Sequence, residues 1–305
     1  MYLIFLLYAL FGSVFTAGKI SLDHAQPFFI VGSRMLLSGV IIVSYLFVFK
    51  RNTLSNVKKN LGKIFLLGFF NIYLTNGFEF WGMKFLSSSK TSFIYSLSPF
   101  FTAILSFFIL KEKLSRKKLL GLAIGFIGFI PILWQGSQLE EGLLSFGFIS
   151  IAEAAVIIAS LATVYGWILM RQLIIEDVNP ITANGFSMLI GGLFSLMHSL
   201  AIESWNPVPV TGSVNTFLES VAWMIIISNF ICYNLYGYLL KHYTTTFMSF
   251  SGFTTPFFVA LFSWFAVGEI LDAYFYVSAI LVFMGLCLFY VEELKKEGLR
   301  KQEQV

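Results

Sequence analysis

Charge is scarce in this chain. Only 12% of its 305 residues are Asp, Glu, Lys or Arg, whereas a soluble domain carries about a quarter. A surface so poor in solvated side chains excludes a water-soluble globule, and lipid must be the solvent. Cysteine is scarce as well. The two present, Cys232 and Cys287, both fall inside apolar runs, which excludes a disulfide framework or a thiolate metal site. No carboxylate cluster with metal-ligand spacing and no phosphate-cradling glycine loop occurs, so the sequence implies no cofactor. The net charge of +4 does not point to nucleic acid, because the positive residues sit in short loops between apolar segments, the pattern that orients membrane proteins.

Apolar residues fill what is left: 57% of the chain is hydrophobic and 18% aromatic. A membrane helix takes roughly 20 such residues to cross about 30 Å of hydrocarbon. The sequence reads as ten spans, at about 2–20, 28–49, 64–83, 89–110, 117–134, 147–170, 181–200, 218–239, 244–267 and 273–292. The expected fold class is therefore an all-α membrane protein. Residues 1–22 lack a basic leader and further spans follow directly, so they read as an uncleaved first span. With the N-terminus in the cytoplasm, sixteen Lys and Arg fall on that side and three (Lys19, Lys84 and Lys90) on the other. This split predicts both termini cytoplasmic in an inner membrane. The polar stretch 293–305 is the expected cytoplasmic tail.

An internal repeat organises the chain. Residues 84–112, KFLSSSKTSFIYSLSPFFTAILSFFILKE, align without a gap to 241–269, KHYTTTFMSFSGFTTPFFVALFSWFAVGE, at an offset of 157, with ten of 29 positions identical. Composition bias can match Phe to Phe. It does not set Pro99 against Pro256 and Glu112 against Glu269. The copies lie five expected spans apart, an odd number, so they cross in opposite senses. The reading is two inverted five-helix halves, 1–135 and 147–292, the symmetry that gives a transporter two states of similar energy.

Here the sequence resembles the drug/metabolite transporter superfamily, in particular its EamA type. The resemblance is carried by SLSPFFTAILSFFILKEKLSRKKLLGLAIGFIGF and GFTTPFFVALFSWFAVGEIL, by Phe11-Gly12-Ser13 with Lys19, and by Arg34 early in the second span. Phe11 stands where Trp is usual, and Ser187 is the best match to Arg34 in the second half. The resemblance implies a secondary carrier that works by alternating access. Some EamA-type carriers of host-dependent bacteria exchange S-adenosylmethionine for S-adenosylhomocysteine, which makes that the implied substrate pair. An exporter of amino acids or amphipathic metabolites is the alternative.

Ionisable groups within spans mark candidate sites because hydrocarbon penalises them. Lys19, Arg34, Glu79 and Glu153 all fall in the outer half of the expected spans. They form either a charged vestibule or mutually neutralised pairs such as Arg34 with Glu79. For Lys19, snorkelling to water is the simpler reading. Asn71, Thr75 and Glu79, spaced i, i+4, i+8, predict one polar helix face. Further stripes hold Asn229, Tyr233 and Tyr236, Ser88, Ser92 and Tyr95, and Glu153, Ser160 and Trp167. The expected substrate-binding set is thus Arg34, Asn71, Thr75, Glu79, Tyr95, Glu153, Trp167, Asn229, Tyr233 and Tyr236; plain interhelical hydrogen bonding is the competing account. Pro99 and Pro256 each remove a donor within a helix and read as a hinge pair or as static kinks. Gly121 and Gly125 predict close helix packing. The expected partners are a small-molecule substrate and the lipid bilayer. An intramembrane enzyme is disfavoured: Ser187 and His198 share one helix, about 16 Å apart along its axis, too far for a dyad.

Overall fold

A computed structural model describes residues 2–54, 56–110, 115–134, 143–146 and 149–302, with backbone alone at 106–107, 109–110 and 289–302. Glu112, Lys111, Lys113 and the last three residues of the expected tail lie outside the described residues. Helix α1 spans Tyr2–Leu22 and α2 Pro27–Phe49. Helix α3 occupies 61–85 and contains a π-helical stretch, Gly68–Leu74. Helix α4 comes in two pieces, Ser88–Tyr95 and Ser98–Leu110. There follow α5 (Arg116–Trp134), α6 (Ile151–Ile175), α7 (Pro180–Ile202), α8 (Val214–Leu239), α9 (Thr245–Val267) and α10 (Ala273–Gln302). Two short strands, Ser145–Phe146 and Ile149–Ser150, pair antiparallel before α6.

Among the described residues, seven helices are long and apolar enough to cross a membrane: α1, α2 and α5–α9. The architecture is that of an all-α membrane protein. The other three helices fall short for readable reasons. Helix α3 carries Lys63, Asn71, Thr75, Asn76, Glu79 and Lys84, which dilute its hydropathy. A turn at Ser96–Leu97 divides α4. Helix α10 is apolar over Ala273–Leu288, where its described side chains end, and its backbone stays helical to Gln302.

The bundle has two ends. At one, residues 23–26 meet the 203–213 connection: Ala25 pairs with Val210, the Gln26 N–H donates to the Pro209 carbonyl at 3.0 Å, and the Glu203 carboxylate accepts the Phe28 and Phe29 N–H groups that open α2. At the other, Lys63 is ion-paired to Glu176, and Asn56 donates to the Asp177 carbonyl at 3.3 Å.

Helix α2 packs along α7, and α5 along α10. Helix α10 comes so close to α5 that a Cβ on Gly285 would stand 2.6 Å from the Gly121 carbonyl oxygen and 2.5 Å from the Gly125 nitrogen. Backbone cannot yield to such a contact, which accounts for the GxxxG spacing. The remaining helices gather around α1 and α6, and α4 and α9 pack on each other where the two sets meet. Helix α1 packs on α8 and α9, whereas α6 packs on α3 and α4.

Local structure recurs at the 157-residue offset. The π-helical Gly68–Leu74 has its counterpart in Ile225–Cys232. Ser87 caps α4 by accepting the Lys90 N–H, and Thr244 caps α9 by accepting that of Phe247, both at 3.1 Å. The turn at Ser96–Leu97 corresponds to a 3-10 turn at Gly252–Thr254.

These turns correct the placement of the prolines. Pro99 and Pro256 do not sit within continuous α-helix. Each is the second residue of a helical piece that starts after the turn, at Ser98 and Thr255. There a missing N–H costs nothing, because first-turn donors have no intrahelical acceptor. The carbonyl of Tyr95 accepts from Ser160 Oγ at 2.9 Å, and that of Gly252 from the Thr255 N–H.

Candidate functional site

Between the α1–α8–α9 group and the α3–α4–α6 group lies a cavity lined from both sides. Tyr8, Phe11, Val14 and Phe15 of α1 face it, with Ser228, Tyr233 and Tyr236 of α8 and Ser249, Gly252 and Thr255 of α9. Across from them stand Thr75, Asn76 and Glu79 of α3, Ser92, Tyr95, Ser96 and Ser98 of α4, and Thr163, Val164 and Trp167 of α6. Arg34 of α2 completes the wall.

Among the described lining residues two carry charge, Arg34 and Glu79, and they are not ion-paired to each other. Arg34 is 1% exposed. Its Nη1 donates to Asn229 Oδ1 at 2.9 Å and its Nη2 to Asn76 Oδ1 at 2.6 Å. The guanidinium lies 5.0 Å from the Phe80 ring centroid, and Nε has no acceptor. Asn229 is held in turn: its Nδ2 donates to the Arg34 carbonyl at 3.2 Å and to Ser38 Oγ at 2.8 Å. Asn76 Nδ2 donates to the Tyr233 hydroxyl at 3.0 Å, joining two positions 157 residues apart. Neutral acceptors therefore aim the guanidinium without neutralising it. Glu79 is 8% exposed. Among the described residues no donor reaches its carboxylate, an expensive arrangement in a low-dielectric interior unless a cation or a proton is supplied.

Aromatic rings cover much of the remaining wall. Trp167 and Tyr236 stack at 3.8 Å and 17°. Phe15 meets Tyr95 edge-on at 6.0 Å, and Phe11 meets Tyr233 at 6.3 Å. Ring faces and edges of this kind suit a flat heterocycle or an onium group.

Of the residues singled out in the sequence, Arg34, Thr75, Glu79, Tyr95, Trp167, Tyr233 and Tyr236 stand on this wall. Three do not. Glu153 belongs to the first turn of α6, where it completes a capping box with Ser150: the Ser150 N–H donates to its carboxylate at 2.7 Å and its own N–H to Ser150 Oγ at 3.2 Å. It is also ion-paired to Lys90 at 2.7 Å. The Ser-x-x-Glu spacing is the signature of a helix start and was readable.

Asn71 accepts from Thr163 Oγ1 at 3.2 Å and packs against Gly166, behind the wall. Asn229 sits behind Arg34. In both cases the π-helical stretch is the cause. One extra residue per turn shifts the helix phase, so the i, i+4, i+8 stripe from Asn71 to Glu79 breaks and Asn76 takes the cavity position. Sequence reasoning missed Asn76 as a residue of this wall, and it missed the α1 face Tyr8, Phe11 and Phe15. The 3 and 4 spacing of those aromatics is the signal that could have found them.

A multi-pass helical membrane protein with an aromatic-walled cavity between two helix groups has the make-up of a carrier. The chain belongs to the EamA-like transporter family, whose model matches residues 1–134 and 150–291. It is 36% identical to the S-adenosylmethionine/S-adenosylhomocysteine transporter of Chlamydia muridarum, over 97% of this chain and 93% of that protein. The transporter of the same description from Chlamydia trachomatis serovar L2 is also 36% identical, over 97% and 90%. An uncharacterized transporter of Bacillus subtilis is 24% identical over 94% of this chain and 92% of its own. A protein of known crystal structure shares the fold at a TM-score of 0.67 and 14% identity, covering 97% of this chain and 96% of that one.

Proposed function

We propose that the chain is a secondary carrier of the cytoplasmic membrane that takes up S-adenosylmethionine in exchange for S-adenosylhomocysteine, and that it is not an enzyme. The observation that carries the reading is that two opposite charges, Arg34 and Glu79, share one aromatic cavity without forming a direct ion pair. The cargo's carboxylate meets Arg34, its ammonium and sulfonium meet Glu79, and its adenine lies against the rings of Tyr95, Trp167 and Tyr236. Thr75, Tyr233, Asn76 and Ser92 supply hydrogen bonds at the edges. The substrate named for the two chlamydial relatives supports the same assignment.

The decisive experiment uses purified protein in liposomes preloaded with unlabelled S-adenosylhomocysteine, in which entry of labelled S-adenosylmethionine is followed. Saturable entry well above that into empty-lumen vesicles is expected. No exchange, together with saturable transport of aromatic or branched amino acids, would decide for an amino-acid exporter.

The carrier has ten spans in this reading, built as inverted halves 1–135 and 147–292, with 293–305 as a cytoplasmic tail. The repeated π-helical stretches, the repeated caps and the Asn76–Tyr233 hydrogen bond between equivalent positions support it. The end that holds Arg51, Lys58, Lys63, Arg171 and Lys241 is the cytoplasmic one. Cysteines introduced by Asn52→Cys and Thr211→Cys are expected to react with an impermeant maleimide from opposite faces; labelling from one face would refute the topology. Pro99 and Pro256, each next to a turn that divides a helix, serve as the hinge pair.

A further inference from the structure

Two cations far apart in the sequence perform the same act at opposite ends of the bundle. Lys19 Nζ, near the end of α1, donates to the carbonyls of Met83 at 2.8 Å and Leu86 at 2.7 Å, where α3 stops. It does not snorkel to water. Arg171 Nη1, near the end of α6, donates to the carbonyls of Leu240 at 3.1 Å and Tyr243 at 2.8 Å, where α8 stops. Met83 and Leu240 are 157 residues apart, and so are Leu86 and Tyr243: the repeat's offset. Each cation also sits where helix-end carbonyls concentrate negative potential.

The connectivity gives these bonds a mechanical meaning. Lys19 rides on α1, which packs on α8 and α9, but grips the elbow between α3 and α4. Arg171 rides on α6, which packs on α3 and α4, but grips the elbow between α8 and α9. Each bond therefore spans the boundary between the two helix groups that enclose the cavity. The Lys19 bond closes the end with residues 23–26, where the Glu269 carboxylate adds a second tie by accepting the Ser89 N–H at 3.0 Å. The Arg171 bond closes the end marked by Lys63–Glu176. The groups cannot part at either end while the bond there persists.

We infer that Lys19 and Arg171 are paired latches, which release alternately to open the cavity to one face and then the other. The inference rests on the carrier reading but not on the cargo's identity, and its first test needs no cargo. Ser92 follows the first elbow and Ser249 the second, and both line the cavity. With Ser92→Cys as reporter, Lys19→Met is expected to raise impermeant-maleimide labelling from the 23–26 face by roughly tenfold, the population shift from losing a charge-assisted bond in one of two states. Lys19→Arg should restore the slow rate. With Ser249→Cys, Arg171→Met should do the same from the opposite face only. Unchanged labelling, or an equal rise on both faces in both variants, overturns the assignment. Should Lys19→Met fail to fold, a bifunctional cross-link across a Lys19→Cys, Leu86→Cys pair provides the second test. Exchange of labelled S-adenosylmethionine, first shown for the uncross-linked pair, should stop when the link forms and return when it is cleaved; undiminished exchange with the link in place overturns the latch.

Discussion

Glu79→Gln is expected to lower the apparent affinity for S-adenosylmethionine about 100-fold, since a hydrogen bond to a charged group is worth about 1.5–3 kcal/mol. The loss should be smaller for S-adenosylhomocysteine, about tenfold, because only the first cargo adds a sulfonium to the ammonium. The contrast between the two cargoes is the diagnostic quantity, read from competition curves in proteoliposomes. Equal losses would mean that Glu79 serves the fold and not the sulfonium. Glu153→Gln is the matching control. It breaks a buried ion pair and a helix cap, so thermal stability should fall by about 3–5 kcal/mol. Affinity in the protein that remains folded should be close to that of the parent.

Arg34→Met is expected to abolish measurable exchange of both cargoes to the same degree, since both present the same amino-acid carboxylate. It also leaves the Asn76 and Asn229 oxygens without their donor, at a cost of about 1–3 kcal/mol each. Arg34→Lys keeps the charge, but its single ammonium cannot reproduce two arms and a free Nε. Exchange by Arg34→Lys should therefore stay below about a tenth of the parent rate, with most of the lost stability restored. Full exchange by the lysine variant would remove Arg34 from the carboxylate site.

What could be read in advance follows from the length scale of each signal. Hydropathy and charge asymmetry act over whole helices, and the all-α membrane class was plain from them. The gapless match of 84–112 to 241–269 set Pro99 against Pro256, and both stand second in a helical piece that follows a turn. Arg34 and Glu79 stood out because an intramembrane charge is rare enough to need a reason. Four misplacements had local causes. Periodicity arguments assume 3.6 residues per turn, and the π-helical stretches break that assumption at Asn71 and Asn229. Glu153 was taken for an intramembrane acid although Ser150 three residues earlier marks it as a cap. Pro99 suggests a kink, whereas the turn at Ser96–Leu97 interrupts the helix before the proline is reached. The partners of Arg34 lie 42 and 195 residues away, beyond the reach of any local pattern.

The π-helical stretch at Gly68–Leu74 also decides which kind of mutation the site withstands. A π-helical turn holds about one residue more than an α-helical one, so deleting one residue there restores ordinary helix and leaves the helix downstream in nearly the same orientation. Thr75, Asn76 and Glu79 would keep their places on the cavity wall. The same deletion in the α-helical turn between Asn76 and Glu79 would turn the carboxylate away by about 100°. The π-helical stretch is thus where the length of α3 can vary by one residue without moving Glu79.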